Sequence, residues 1–487
     1  MPVKANKYLA DTLILLFLSL ISLRLKSQET DTLRKGIHQV ESEYYSTLYG
    51  KDQPYDEKGT AFPSDLIISP SKALQKKVLG WHPYWASSSA HLSYNYNVLS
   101  HIAYFSYEVD TATGGYTTIR GWNSTPVIDF AHERGVKVLL TVTNFGTAKN
   151  TEILSDTVKQ KLMLQTLITL LKDRNGDGVN FDLESVSFSQ RSNLVNFIKM
   201  AVTMIKNEIP SAEISMATPA VDWNNSFNLA ALSGLCDYLI VMGYNYYWST
   251  STTAGPVAPL SGETYTVVHT LDTYLNSGVV PEKLFLGIPW YGLDWPVTSE
   301  VRKAAATGKA TSRTYSSSQQ IADEHIKIFD QATKVPWVRY TASSVWRQMW
   351  FEDPQSLTLK YNLVNSMDLG GTGIWALSYE GTYKGVWETI SNAYSGPLPE
   401  KSEIVKIWPN PVNGAAEIQF SLAVRANVTL KIYDMLGKEI IVLVDEELEA
   451  GTYTEEFNSA SFGQGVYFCA LKTGKTTNTN KIVITKK

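Results

Sequence analysis

Asp173-Arg174-Asn175-Gly176-Asp177-Gly178-Val179-Asn180-Phe181-Asp182-Leu183-Glu184 is where this chain crowds carboxylates and amides into an apolar run. From residue 179 onward, apolar Val179, Phe181 and Leu183 alternate with Asn180, Asp182 and Glu184, so an extended backbone sends the two sets to opposite faces. Neighbours in the polar row then stand ~6.6 Å apart, close enough for one small ligand to meet two of them. Glu184, the last of the row, would lie at the strand's C-terminal end, where (β/α)8 enzymes carry their chemistry. A calcium loop competes for the same residues, because Asp173, Asn175, Asp177, Gly178 and Glu184 satisfy D-x-[DN]-x-[DN]-G-x5-E. Such a loop needs a helix after it. Ser185-Val186-Ser187-Phe188-Ser189 is poor in helix formers, and no second loop is present to pair with the first, so no metal is expected.

Outward from that strand, from residue 78 on, short β-branched or apolar runs alternate with longer stretches of helical spacing, the pattern of βα units. Strands are expected at 78–80, 101–106, 136–142, 179–184, 213–217, 238–242, 284–288 and 373–377. Helices are expected at 127–134, 158–172 and 193–207, where apolar residues recur at three and four. The fold class is accordingly α/β, a (β/α)8 TIM barrel over 77–395. The interval between the seventh and eighth strands is too long for one crossover. A small α+β insertion at about 296–352, with a helix near 319–332 and a hairpin from 337–340 and 344–351, is expected to wall one side of the groove. After a linker at 396–405, strand-like alternation at 416–421, 428–433, 453–457, 466–471 and 481–485 predicts a C-terminal all-β sandwich over 406–487.

Composition narrows the partners. With 43 Lys plus Arg against 47 Asp plus Glu and no long basic run, nucleic acid is not expected to bind. The 27 Tyr and 13 Trp furnish a core, and they also supply the flat rings on which sugar faces stack. Cys236 and Cys469, far apart, read as small core residues rather than a disulfide framework. Lys4 and Lys7 precede an apolar run from Leu13 to Leu23, about half the ~20 residues of a membrane-spanning helix, so residues 1–27 read as a signal peptide cut after Ser27. Residues 28–76 form a polar leader or linker with one helical patch near 38–48 and little function to read. The histidines show neither H-x-H nor H-E-x-x-H spacing, and no G-x-S-x-G, Walker or Rossmann pattern occurs, which removes support for zinc, serine-triad and nucleotide chemistry; no cofactor is expected.

Asp177-Gly178-Val179-Asn180-Phe181-Asp182-Leu183-Glu184 resembles the D-G-x-D-x-D-x-E signature on the fourth barrel strand of the family 18 glycoside hydrolases, the chitinases and their relatives, with Asn180 where the family usually has Asp. That variant is similar to the branch containing spore-cortex and peptidoglycan hydrolases. The resemblance implies a retaining, substrate-assisted mechanism in which the 2-acetamido oxygen of the sugar attacks the anomeric carbon to form an oxazolinium ion. Glu184 would be the general acid and base, needing a pKa raised from about 4.3 towards 6. Asp182 would hold the acetamide N–H and steady the positive charge. Tyr244, in Met242-Gly243-Tyr244-Asn245-Tyr246, matches the M-x-Y-D motif whose hydroxyl bonds the acetamide oxygen, with Asn245 in place of the aspartate. Trp375 matches the tryptophan that floors the reactive subsite. Asn180, Asn245, Trp81, Tyr104 and Trp290 are the further candidate substrate contacts, and Asp177 would brace the strand's entry turn.

Trp408-Pro409-Asn410-Pro411, the Ile432-Tyr433-Asp434-Met435-Leu436-Gly437-Lys438 turn, Gly465-Val466-Tyr467 and the terminal Lys481–Lys487 run resemble the C-terminal sorting domain of the type IX secretion system. This implies the type IX machinery as a partner and passage through the outer membrane, ending in release or surface attachment. The expectation is therefore a secreted, monomeric hydrolase of β-1,4-linked N-acetylglucosamine polymers, chitin first. Peptidoglycan and N-glycan cores are the alternative substrates, and a non-catalytic chitin-binding lectin is the alternative from another class.

Overall fold

A computed structural model of the chain describes residues 35–49, 74–383, 385–395, 401–423, 426–448, 451–474 and 476–486. The expected signal peptide and most of the leader and linker lie outside the described residues. No described helix is long and apolar enough to cross a membrane.

Eight parallel strands close on themselves: β1 (Lys77–Pro83), β2 (His101–Val109), β3 (Lys137–Phe145), β4 (Gly178–Glu184), β5 (Glu213–Pro219), β6 (Tyr238–Met242), β7 (Leu284–Pro289) and β8 (Gly371–Trp375). Each hydrogen-bonds to the next, and β8 returns to β1, so no barrel strand presents an open edge. All eight strands fall where the runs of apolar and β-branched residues place them. The ends differ by a few residues, since a strand stops where its ladder stops and not where its apolar run does. Gly178 opens β4 with φ 146°, and a Cβ there would collide with the backbone of Glu213 on the neighbouring strand, so only glycine lets β4 approach β5 this closely.

Helices alternate with the strands. The helix α1 (Ile37–Tyr49) precedes the barrel, and α2 (Val127–His132), α3 (Thr157–Arg174) and α4 (Arg191–Glu208) flank β3 and β4 in sequence. Asp156 caps α3 by accepting from the amides of Val158 and Lys159, and Asn175 ends it in the left-handed region, φ 53°. That turn feeds Asp177 into the entry of β4.

Between β7 and β8 lies a five-stranded antiparallel sheet in the order Thr311–Thr314, Tyr291–Val297, Val345–Trp350, Val335–Ala342, Lys327–Asp330, accompanied by α5 (Tyr315–Asp323). The α+β insertion is as expected, with one correction. The helix stops at Asp323, and Lys327–Asp330 is a strand, because Ile328 and Phe329 pair with Trp337 and Pro336 on the adjoining strand. The fully buried Asp294 ties this sheet together, accepting from Arg313, Arg347 and the Tyr340 hydroxyl.

The C-terminal unit is a separate compact body. Three strands (Glu403–Trp408, Ala415–Leu422, Gly451–Asn458) face four (Glu439–Leu448, Ala426–Asp434, Gly465–Thr473, Thr476–Ile484). Ile418, Phe420 and Phe457 from one sheet and Leu430, Ile432 and Leu471 from the other form a common core. Cys469 sits in that core and Cys236 is buried in the barrel unit, both as free thiols.

Behind β8, α6 (Pro354–Ser366) is held by a charge pair with no access to water: Lys360 Nζ lies 2.8 Å from Glu352 Oε2, and each side chain is 1% exposed. Removing one partner strands the other charge. Lys360→Met is expected to lower barrel stability by about 3–5 kcal/mol in denaturant unfolding, and Lys360→Met with Glu352→Leu to recover most of that loss. Equal stability of the single and double variants would show that the pair does not hold α6.

Candidate active site

All seven residues of β4 are buried, yet its inward row is polar. Neighbouring strands explain how this row survives. Asn180 uses both halves of its amide: Oδ1 accepts from Trp81 Nε1 at 3.0 Å, and Nδ2 donates to Ser215 Oγ at 2.9 Å. Indole is a donor only, so this orientation is chemically required. An aspartate could keep the first bond but not donate the second. Asp177, at the other end, accepts from the Val138 amide at 2.6 Å and lies 2.7 Å from His132 Nε2 at the strand's entry. Asp177 and Glu184 therefore stand at opposite ends of a seven-residue strand. A rise of ~3.3 Å per residue keeps them roughly 20 Å apart, and the calcium loop cannot form.

At the C-terminal end of the barrel, Asp182, Glu184, Tyr244 and Trp375 converge, and a group from α1 stands among them. His38 is fully buried there. Its Nδ1 lies 2.7 Å from Asp182 Oδ2 and 3.8 Å from Glu184 Oε1, its Nε2 lies 2.8 Å from the Tyr244 hydroxyl, and its ring stacks on Trp375 with centroids 3.6 Å apart. Carboxylate oxygen only accepts, so Nδ1–H donates to Asp182. Three residues on, Glu41 accepts from Trp375 Nε1 at 2.9 Å, from the Tyr379 hydroxyl at 2.7 Å and from Ser312 Oγ at 2.8 Å. Asp182 Oδ1 and Glu184 Oε1 are buried without a hydrogen-bond partner among the described residues. His38, Asp182 and Glu184 offer ligand atoms within 4.8 Å of one another, but both ring nitrogens of His38 are already engaged, which leaves no free imidazole donor for a metal.

Burial first, and the nearby Asp182 charge second, push the Glu184 carboxyl well above the usual carboxylate range, with the Gly36 amide partly offsetting both. Burial, followed by Tyr291 and the carboxylates of Asp182, Glu184 and Glu41, holds the Tyr244 hydroxyl protonated well above its ordinary range, so it can donate. The arrangement thus offers one protonated acid, one acceptor and one donor above an indole floor, the kit for general acid catalysis on a ligand with an amide-like group. Beside it a cleft of about 490 Å³ runs from Glu184 past Tyr244 to Trp223 and Trp248.

The remaining candidates divide. Asn245, at φ 61°, accepts from the Tyr291 hydroxyl at 2.7 Å and lines the cleft. Trp81 meets His38 edge-on at 5.3 Å. Tyr104 belongs elsewhere: it bonds the Arg120 carbonyl, stacks on His82 and packs edge-on against Trp122. Its neighbour Phe105 takes the inward position instead, with its ring 5.0 Å from Trp375 and 5.9 Å from His38. Trp290 likewise packs outward on Trp387, and the next residue, Tyr291, meets Tyr244. Nearly every residue of β2 and all of β7 are buried on both faces, so alternation could not say which ring points in. His38 and Glu41 had no signal beyond a helical patch in a polar leader.

A carboxyl raised on folding favours the native state below its unfolded pKa, and that contribution is lost as pH rises through the folded value. Glu184→Gln removes the cost of ionising a buried acid. The variant is expected to match wild type near pH 4 and to be the more stable of the two at pH 8 in chemical denaturation, with a gap that widens as pH rises. A gap that narrows with rising pH would contradict the raised carboxyl.

Known protein families match both units of the chain. Glycosyl hydrolases family 18 matches residues 77–380, and the secretion system C-terminal sorting domain matches residues 406–485. Human di-N-acetylchitobiase is 24% identical over 283 residues, covering 52% of this chain and 70% of that protein. The cortical fragment-lytic enzyme of Bacillus anthracis is 23% identical over 303 residues, covering 57% of this chain, and the chain spans 65% of that relative's length. Among solved structures, the Cycas revoluta chitinase in complex with (GlcNAc)3 superposes with a TM-score of 0.59 at 20% identity, over 66% of this chain and 100% of that one. The Bacillus cereus spore cortex-lytic enzyme SleL gives 0.56 at 18% identity, over 66% and 74%. With the family matched over more than half of its length, on the barrel that carries Glu184, the chain belongs to the glycosyl hydrolases of family 18.

Proposed function

We propose that this glycoside hydrolase cleaves β-1,4-linked N-acetylglucosamine polymers, chitin first, with retention and with the substrate's own acetamide as nucleophile. The observation that carries this is the convergence of Asp182, Tyr244 and Trp375 on one flat group bearing an N–H and an acceptor. An acetamide presents the same pair of functions, so Asp182 would accept from its N–H, Tyr244 would donate to its oxygen, and Trp375 would floor it. Glu184 gives its proton to the glycosidic oxygen as the acetamide oxygen bonds to the anomeric carbon and the exocyclic C–O bond breaks. Water then attacks that carbon, loses a proton to Glu184, and reopens the ring. Asn180 and Asn245 hold the supporting hydrogen bonds. The C-terminal domain would hand the monomeric enzyme to the type IX machinery for release or display outside the cell.

Peptidoglycan is the second substrate, supported by the similarity to cortex-lytic proteins and by Asn180 in place of an acid.

Release of sugar from colloidal chitin and from purified peptidoglycan, compared for wild type and Glu184→Gln, tests the proposal. A loss of about a hundredfold or more in the variant is expected, with the faster polymer naming the substrate. Equal rates for the two proteins would remove Glu184 as the acid, and chitin binding without cleavage would favour a lectin.

A further inference from the structure

The helix α1 has the wrong buried face for a structural helix. The side chains it hides are His38, Glu41 and Ser42 together with Ile37, whereas Tyr44 and Leu48 face solvent. Packing helices bury apolar stripes, and burying polar groups costs free energy unless each finds a partner. Here the partners are supplied by the candidate active site, through the bonds of His38 to Asp182 and Tyr244 and of Glu41 to Trp375, Tyr379 and Ser312. Further along, Tyr45 stacks on Trp85 at 4.7 Å, and Ser46 accepts from Arg120 at 2.8 Å. At the helix's start Gly36 lies so close to Glu184 that a Cβ would fall on the carboxylate oxygen.

The geometry points to α1 as an intramolecular competitive inhibitor: His38 stands where the acetamide of the reactive sugar would stand, and the polymer binds only when the helix leaves. The imidazole places Nδ1–H on Asp182 and Nε2 on the Tyr244 hydroxyl, one ring carbon between its two nitrogens. An amide sets its N–H and carbonyl oxygen on one carbon in the same way. Stacking on Trp375 completes the correspondence, and Glu41 occupies the indole N–H and the Tyr379 hydroxyl that a sugar hydroxyl could otherwise engage. The two occupants cannot coexist, since they need the same atoms. Substrate affinity is therefore lowered by the fraction of molecules whose helix is out, and a long polymer, gripping the open cleft beyond Glu184 as well, displaces the helix more readily than a short one.

This inference rests on the proposed saccharide site, and its test separates the two. In the full chain, His38→Ala with Glu41→Ala removes the anchoring groups, and Gly36→Val independently forces the helix from Glu184; neither substitutes a barrel residue. Hydrolysis of an N-acetylglucosamine tetramer is followed in each, and its binding is followed by tryptophan fluorescence in the same chains carrying Glu184→Gln. Both helix variants are expected to raise kcat/KM tenfold or more through KM, with kcat within about threefold of wild type, and to bind the tetramer at least tenfold more tightly. A helix needed to build the site would instead lower kcat in both, and this would overturn the inhibitor, as would unchanged KM and binding. If no chain hydrolysed the tetramer but both variants bound it more tightly, the inhibitor would stand and the hydrolase would fall.

Discussion

Asp182 and Glu184 are two carboxylates on one face of a strand that is buried throughout, and water is not there to solvate them. Leaving both ionised and unpaired in such a place would cost several kcal/mol per charge. The barrel and the helix α1 together separate their states. Asp182 receives a hydrogen bond, and Glu184, desolvated and beside a negative neighbour, holds its proton. Asn180 removes a third charge from the row and spends its amide on Trp81 and Ser215. Gly178 and Asp177 fix where the strand begins, and thereby which residue reaches the rim. An acid at the rim and an acceptor one step below it are consequences of closing a parallel barrel around this one strand.

The fold was legible because its signals are local or periodic. Alternation along 179–184 and apolar recurrence in the helices mark the elements, and the interval between β7 and β8 announces an insertion by its length alone. The strands Glu403–Trp408 and Glu439–Leu448 carry no clear sequence signal, the first beside a Pro-bearing linker and the second because its acidic tail reads as loop. The helix expected at 319–332 ends at Asp323, since Ile328 and Phe329 suit either state until pairing decides it.

Of the site, the motif residues Asp182, Glu184, Tyr244 and Trp375 were legible and do converge. Tyr104 and Trp290 lie near strand ends like their neighbours Phe105 and Tyr291, and it is the neighbours that take the inward places. His38 could not have been found from the sequence. Its partners lie 144 and 206 residues away, and nothing in a polar leader announces that its buried face is complementary to a barrel it precedes. Desolvation of Glu184 is shared between the barrel and that helix, so the acid's environment and access to the cleft are coupled.

The most direct measurement of the central claim is the anomeric form of the sugar first released from an N-acetylglucosamine oligomer, followed by proton magnetic resonance within the first minutes of reaction with the full chain. Attack by the substrate's acetamide and then by water inverts the anomeric carbon twice, so the account predicts the β anomer at the outset, drifting to the equilibrium mixture afterwards. Initial release of the α anomer would mean a single displacement by water. It would contradict the roles given to Asp182, Tyr244 and Glu184 alike.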